Sequence, residues 1–234
     1  MIVKVCGMRE ADNIRAVEAL GADWIGMIFH PESPRFVQMV PTHAGIIPDR
    51  AGVQADAAPA TAGQPRQRAK RVGVFVDDMA QNIITRVVNY ELDFVQLHGH
   101  ESPTLIRNLR RTLCAADGQG RAIAPGLGFI KAISVASRDD VRQWEQYADC
   151  VDYLLFDTRS PLPGGSGEQF DWSLLEAYDG PLPFLLSGGI GPGDAERVRQ
   201  FRHPRLAGID LNSRFETAPA VKDVELLRAF LAAL

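Results

Sequence analysis

The sequence predicts an α/β fold, a (β/α)8 (TIM) barrel that forms a single domain over residues 1–234. Eight short apolar segments alternate with helix-length segments, and each apolar segment is continuous rather than alternating. This is the pattern of parallel strands that are covered on both faces. The polar and glycine-rich residues follow the apolar segments, which places them at the one end of a barrel where active sites lie. A doubly wound open sheet is the alternative arrangement of the same elements.

The individual elements follow from apolar runs and from helical spacing. Strand segments are short and rich in β-branched and aromatic residues. Helical segments carry apolar residues three and four positions apart. The predicted strands are Ile2–Cys6, Trp24–Phe29, Arg71–Phe75, Asp93–Leu97, Phe129–Ser134, Tyr153–Phe156, Pro183–Leu186 and Leu206–Asp210. The predicted helices are Ala11–Leu20, Met79–Tyr90, Ser102–Leu113, Arg138–Tyr147, Asp194–Phe201 and Val221–Leu234.

One segment, Asp49–Ala69, interrupts the alternation of strands and helices. It is rich in Ala, Pro, Gly and Gln and has no hydrophobic period. Because such a composition does not form an amphipathic helix, we predict a flexible surface insertion at about residues 49–69. Strands are predicted on both sides of the insertion, so it does not divide the chain into two domains.

Composition and charge exclude several classes of protein. The chain is 46% hydrophobic with a net charge of −4, which argues against wholesale disorder and against a nucleic-acid partner. No apolar run approaches the roughly 18 residues that cross a bilayer, and the N-terminus lacks the pattern of a signal peptide. The cysteines, Cys6, Cys114 and Cys150, are odd in number and far apart, which argues against a disulfide framework and a metal site. We therefore expect a reduced cytoplasmic protein without a membrane or nucleic-acid partner.

Two segments that follow the seventh and eighth predicted strands indicate a phosphate site. Gly188 and Gly189 follow one strand, and Asn212 and Ser213 follow the next. Glycine allows a backbone to approach an anion closely, and the loops after strands 7 and 8 of barrels frequently bind phosphate. A tight turn without a ligand is the alternative explanation for the two glycines. The pair of segments predicts a small-molecule phosphorylated ligand.

Side chains suited to acid–base chemistry follow other predicted strands. Cys6 ends the first strand, where a thiolate can act as a base or nucleophile. Asp157 follows the sixth strand, and an acid there has to lie at the barrel mouth or be paired, because burying it alone is costly. Arg35 can bind a carboxylate with two hydrogen bonds, and His98 can transfer a proton. Each residue alone also fits an ordinary structural role.

A set of short segments occurs in the order that is typical of one enzyme family. The segments are Lys4–Met8, Gly21–Asp23, Ser33–Arg35, Val95–Gly99, Leu155–Asp157, Gly164–Gly167, Phe170–Trp172, Ser187–Gly189, Gly208–Ser213 and Val221–Asp223. Together they make the chain similar to the phosphoribosylanthranilate isomerases over nearly its whole length. Arg214 departs from the family pattern, since many members have glycine there.

This resemblance implies a cofactor-free Amadori rearrangement in tryptophan biosynthesis. N-(5′-phosphoribosyl)anthranilate becomes 1-(2-carboxyphenylamino)-1-deoxyribulose 5-phosphate. By resemblance, Asp157 is the general acid that protonates the furanose oxygen, Cys6 is the general base that removes the C2′ proton, and Arg35 binds the anthranilate carboxylate. The site then has to favour the acid form of Asp157 and the thiolate of Cys6, the reverse of their ordinary states near neutral pH.

The resemblance also implies a set of substrate-binding residues. Backbone groups at the two glycine-containing segments hold the phosphate, and three polar residues occupy matching positions without a defined role. The phosphate residues are Gly188, Gly189, Asn212 and Ser213, and the three polar residues are Gln96, His98 and Asp210.

Two other functions remain open at this stage. One is a different sugar-phosphate isomerase on the same scaffold, such as the histidine-pathway isomerase, although that family resembles a barrel with aspartate where this chain has Cys6. The other is a non-catalytic phosphate-binding barrel, which would not need Cys6, Asp157 and Arg35 together. The sequence is compatible with a monomer or a homodimer.

Overall fold

Eight parallel strands close into a barrel in the computed structural model, which describes residues 1–38, 68–158 and 171–234. Each strand pairs with the next along the chain, and β8 pairs with β1. The predicted (β/α)8 barrel is confirmed, and the open sheet is wrong. The strands are β1 Ile2–Val5, β2 Trp24–Ile28, β3 Lys70–Phe75, β4 Phe94–Leu97, β5 Gly128–Val135, β6 Tyr153–Thr158, β7 Phe184–Leu186 and β8 Leu206–Leu211.

Helices pack their apolar faces against the outside of the barrel. Ile106 and Leu109 of α3 are buried in this way, and the Ser102 side chain caps the same helix by accepting from the Leu105 N–H. The helices are α1 Ala11–Ala19, α2 Ala80–Tyr90, α3 Pro103–Cys114, α4 Arg138–Val141, α5 Ala195–Gln200 and α6 Val224–Ala233. Short 3₁₀ helices are Arg142–Gln146, Trp172–Ala177, Pro192–Asp194 and Ser213–Phe215.

Two predicted helices differ from those in the structure. The α-helical part of the predicted helix Arg138–Tyr147 ends at Val141, after which the chain tightens into a 3₁₀ helix. The predicted helix Val221–Leu234 begins only at Val224, because Asp223 caps it by accepting from the Leu226 N–H. The preceding residues form β10, Val221–Lys222, which pairs antiparallel with β9, Glu216–Ala218.

The barrel interior is apolar at the N-terminal ends of its strands and polar at the C-terminal ends. At the apolar end, the Trp24 ring stacks on Phe94 with ring centroids 4.4 Å apart and meets the edge of Tyr153 at 5.2 Å. At the polar end, Gln96 and Asp210 are both buried. A buried apolar layer therefore supports a polar layer above it.

Most of the predicted insertion, residues 49–67, lies outside the described residues, as does the segment Gly164–Gly167. The last two residues of the predicted insertion lie directly before β3, which begins at Lys70. Arg68 pairs with Asp93 at 3.2 Å, and Ala69 is buried in the core. Among the helices within residues 1–38, 68–158 and 171–234, none combines the length and apolar character needed to cross a bilayer.

Candidate active site

The Cys6 thiol lies inside the barrel, directly after β1. Its backbone N–H donates to the Leu211 carbonyl at 2.8 Å, which continues the ladder between β1 and β8. A Cβ atom at Gly26 of β2 would lie 2.7 Å from the Cys6 sulfur, so the absence of a side chain at Gly26 makes room for the thiol. Ile28 and Val74 complete the apolar contact of Cys6.

A buried ion pair lies beside the thiol. Lys4 shares the face of β1 with Cys6, and its Nζ donates to Asp210 Oδ1 at 2.8 Å. Ser187 Oγ donates to the other oxygen of Asp210 at 3.4 Å. Burial opposes the charge on Lys4, but the negative groups of Asp210 and Cys6 outweigh it and raise the pKa of the ammonium. Lys4 therefore stays cationic within the barrel.

Burial raises the pKa of the Cys6 thiol, against the opposing positive charges of Lys4 and Lys222. This differs from the expectation that the site favours the thiolate of Cys6. The physical reason is desolvation, since burial disfavours a thiolate more than two cations favour it. Cys6 therefore holds its proton more strongly than an exposed cysteine.

Gln96, His98 and Asp157 form a chain across the mouth of the barrel. Gln96 Nε2 lies 3.2 Å from His98 Nδ1, and His98 Nε2 lies 3.3 Å from Asp157 Oδ2. Because the amide can only donate to Nδ1, the arrangement assigns a proton to Nε2, facing the carboxylate. The Thr158 N–H donates to Asp157 Oδ1 at 2.8 Å. Gln96 Oε1 is buried and has no hydrogen-bond donor among the described residues.

The two glycine-containing segments lie side by side at the same end of the barrel. Gly188 and Gly189 have φ of 90° and 66°, a backbone conformation that favours glycine. A Cβ atom at Gly188 would lie 3.1 Å from Asp157 Oδ1, so this loop also touches the candidate acid. A Cβ atom at Gly191 would lie 3.6 Å from the Cβ of Arg214, which follows Ser213 on the neighbouring loop. The loops that carry the predicted phosphate residues therefore follow paired neighbouring strands.

Arg35 is buried and bound to a carboxylate of the same chain. Its Nε and Nη2 donate to the two oxygens of Glu216 at 2.9 and 2.7 Å. Lys222 Nζ lies 2.5 Å from Glu216 Oε1 and donates to Asn212 Oδ1 at 2.8 Å. Burial would raise the pKa of Glu216, but hydrogen bonds and charge from Arg35 and Lys222 lower it. Burial lowers the pKa of Lys222, against the attraction of Glu216.

Gly7 places Arg35 next to Cys6. Gly7 has φ of 74°, and a Cβ atom there would lie 2.6 Å from both the Arg35 Cδ and the Asn212 Oδ1. The side chains of Arg35 and Asn212 therefore pack against the backbone of Gly7, the residue that follows the candidate base Cys6. Glu216 belongs to none of the sequence motifs, and Lys222 is marked only by the segment Val221–Asp223.

Comparison with known proteins identifies the family. The model of a family described as N-(5′-phosphoribosyl)anthranilate (PRA) isomerase matches residues 3–233. The chain belongs to the PRA isomerase family. The predicted family is thereby confirmed, and the chain is an isomerase of tryptophan biosynthesis.

Several PRA isomerases are similar to the chain in sequence and structure. The enzyme of Parabacteroides distasonis is 44% identical over 99% of this chain and 92% of its own length. The crystal structure of the Thermus thermophilus enzyme is 29% identical, has a TM-score of 0.73 and covers 100% of this chain and 98% of its own. A PRA isomerase in complex with reduced 1-(o-carboxyphenylamino)-1-deoxyribulose 5-phosphate is 25% identical with a TM-score of 0.70, and covers 100% and 98%. Monomers generated from the dimeric Thermotoga maritima enzyme are 25% identical with a TM-score of 0.68, and cover 100% and 98%.

Proposed function

We propose that this PRA isomerase converts N-(5′-phosphoribosyl)anthranilate to 1-(2-carboxyphenylamino)-1-deoxyribulose 5-phosphate with Asp157 as the general acid and Cys6 as the general base. The observation that carries these roles is the placement of the two groups at one barrel mouth, each in a different environment. Cys6 packs against apolar side chains and feels the positive charges of Lys4 and Lys222. Asp157 lies at the rim of the barrel, where the Thr158 N–H donates to one carboxylate oxygen and His98 Nε2 lies 3.3 Å from the other. Different environments for two proton-transfer groups are what an acid and a base require.

The first step opens the sugar ring. Asp157 gives its proton to the furanose oxygen, the bond between C1′ and that oxygen breaks, and the anilino nitrogen supplies the electron pair for a protonated Schiff base. The Thr158 N–H and the His98 Nε2 face the two oxygens of Asp157. Hydrogen bonds to these oxygens stabilise the carboxylate that remains after the proton has left.

The second step removes the proton from C2′. The Cys6 thiolate takes this proton, and the electron pair of the C–H bond moves towards the iminium nitrogen to give an enolamine, which tautomerises to the ketone. The Schiff base carries its positive charge on the atoms next to C2′. A nearby cation favours the thiolate, so the intermediate itself adds to the effect of Lys4 and Lys222.

The remaining residues orient the substrate. Arg35 binds the anthranilate carboxylate, and its position over Gly7 brings that carboxylate close to Cys6. Backbone groups of Gly188, Gly189, Asn212 and Ser213 bind the phosphate. Gln96 Oε1 accepts a hydrogen bond from a hydroxyl of the opened sugar, which supplies the donor that this buried oxygen lacks in the described chain. Asp210 orients Lys4, and His98 orients Asp157.

The roles of Cys6 and Asp157 are tested by Cys6→Ala and Asp157→Asn. Each change is expected to reduce kcat by about 10²–10⁴-fold, because a positioned acid or base supplies roughly that factor. The measurement is steady-state turnover of N-(5′-phosphoribosyl)anthranilate, with inhibition by inorganic phosphate as a control for an intact binding site. A variant that keeps a wild-type kcat contradicts the role assigned to that residue.

We further propose that the enzyme acts in the cytoplasm as a monomer or homodimer. The cytoplasmic location is supported by the small phosphorylated intermediates of tryptophan biosynthesis. The homodimer is supported by the dimeric relative from Thermotoga maritima. Light scattering during size-exclusion chromatography distinguishes a mass near 25.6 kDa from a dimer.

A further inference from the structure

Four side chains form one network beside Cys6, which we call the Arg35 cluster. It consists of Arg35, Glu216, Lys222 and Asn212. The side chains of Arg35, Glu216 and Lys222 are only 8%, 6% and 0% exposed. Glu216 is the centre of the cluster, because it accepts hydrogen bonds from both cations. Burying three charged side chains costs free energy, so a contribution to stability does not by itself explain the cluster.

Glu216 is held in place independently of Arg35. It lies on β9, where it pairs with Lys222 of β10, and the Ala220 N–H donates to Glu216 Oε1 at 3.3 Å. Lys222 is in turn fixed by Asn13 of α1, which donates to the Lys222 carbonyl at 2.9 Å and accepts from its N–H at 2.8 Å. Glu216 is therefore a fixed template for the guanidinium, and not a mobile group that swings away from it.

A fixed template matters because arginine has a long and flexible side chain. Ordering such a side chain costs conformational free energy. In the Arg35 cluster this ordering takes place during folding, since two N–H groups of Arg35 are already bound to Glu216. A ligand carboxylate then meets a guanidinium whose plane is already set.

Lys222 offsets the disadvantage of placing a carboxylate next to an anion-binding arginine. Two carboxylates that lie close together repel each other. Lys222 lies 2.5 Å from Glu216 and balances its charge. Glu216 can therefore orient Arg35 without making the cluster repel the carboxylate of the substrate.

We propose that Glu216 and Lys222 are positioning residues that make Arg35 selective for the carboxylate on the aromatic ring of the substrate. This inference rests on the proposed function, in which Arg35 binds that carboxylate. It adds that selectivity depends on two residues from the β9–β10 hairpin.

Glu216→Gln separates positioning from simple electrostatics, because the two effects have opposite signs. Glutamine keeps the shape of glutamate but provides one acceptor oxygen for Arg35 and Lys222 together. If Glu216 positions Arg35, the variant binds the carboxylated substrate more weakly. If Glu216 only reduces the local positive potential, the variant binds that substrate more tightly.

The experiment compares N-(5′-phosphoribosyl)anthranilate with N-(5′-phosphoribosyl)aniline, which lacks the carboxylate. The quantity measured is the ratio of kcat/KM for the two substrates. Glu216→Gln is expected to lower this ratio about 10-fold through KM of the carboxylated substrate, while kcat/KM for the aniline changes less than about twofold. Glu225→Gln, an exposed residue of α6 that pairs with Arg228, is the matched control and leaves the ratio unchanged.

Arg35→Met distinguishes a failure of this inference from a failure of the proposed function. If Arg35→Met leaves the ratio unchanged, Arg35 does not bind the carboxylate and its proposed role is wrong. If Arg35→Met lowers the ratio but Glu216→Gln maintains or raises it, the positioning role is wrong.

Should Glu216→Gln fail to fold, Lys222→Met is measured in the same way. Any effect of Lys222→Met on the Cys6 thiolate acts on both substrates and cancels in the ratio, so an unchanged ratio overturns the proposal, and a lower ratio supports it.

Discussion

At the scale of single residues, Lys4 and Cys6 connect burial to the pH dependence of catalysis. Cys6 has to lose a proton before it can act as a base, and burial raises the pKa of its thiol. Lys4 opposes this effect with a positive charge that is itself secured by Asp210. The rise of the pH–rate profile that reports ionisation of Cys6 is therefore expected at higher pH than for an exposed cysteine.

Lys4→Met should move this rise to still higher pH. Removing the cation leaves the thiolate less stabilised, so kcat/KM falls more near about pH 7 than near about pH 9. The pH–rate profile measures the shift, and Lys70→Met at the opposite end of the barrel, where Lys70 lies over the Phe94 ring, is the control. An equal loss at every pH would mean that Lys4 acts on geometry and not on the thiol.

The sequence identified the residues at strand ends but not their partners. Cys6, Asp157 and Arg35 stand out in the sequence because polar or reactive groups follow apolar strands, and their roles stay predictions. Glu216 could not be predicted as the partner of Arg35, since 181 positions separate the two residues. Pairing over such a distance depends on how the barrel closes, which no local period reveals.

At the scale of elements, the strands were easier to predict than the helix ends. Continuous apolar runs mark buried parallel strands well, and all eight strand positions agree with the structure to within two residues at either end. The start of α6 was predicted too early because Val221 continues the apolar period of the helix. Its backbone instead pairs with β9, and the Asp223 cap decides where the helix begins.

The end of α2 provides a prediction at this scale. Glu91 follows the helix in a left-handed conformation, with φ of 47° and ψ of 58°, and is exposed. Glycine adopts this conformation without steric cost, so Glu91→Gly is expected to be more stable than Glu91→Ala by about 1 kcal/mol. Both variants remove the same side-chain interactions, which makes their difference in thermal or urea unfolding the relevant measurement. Equal stability of the two variants would show that the backbone relaxes at this position.

At the scale of the whole molecule, the apolar layer at the N-terminal end supports the site above it. Trp24, Phe94 and Tyr153 come from three different strands and fill the barrel at this end. Trp24→Ala is expected to reduce the free energy of unfolding by about 3–5 kcal/mol, as for other large buried aromatic residues. Urea unfolding measures the change, and Met79→Ala, at a position that is 66% exposed, is the control with little effect. A loss below about 1 kcal/mol for Trp24→Ala would mean that this end of the barrel repacks.

The pairing of β1 with β8 has a consequence for how the enzyme is made. Lys4 and Asp210 are 206 positions apart, so the first strand leaves the ribosome long before the strand that completes its ion pair. At about 5–20 residues per second, Lys4 waits roughly 10–40 s for Asp210 to be synthesised. During that interval the nascent chain holds a charged side chain on the face of β1 that will form the barrel interior, without its counter-charge. Closure of the barrel is therefore expected to be a late event, and a chain that stops short of β8 is expected to be inactive.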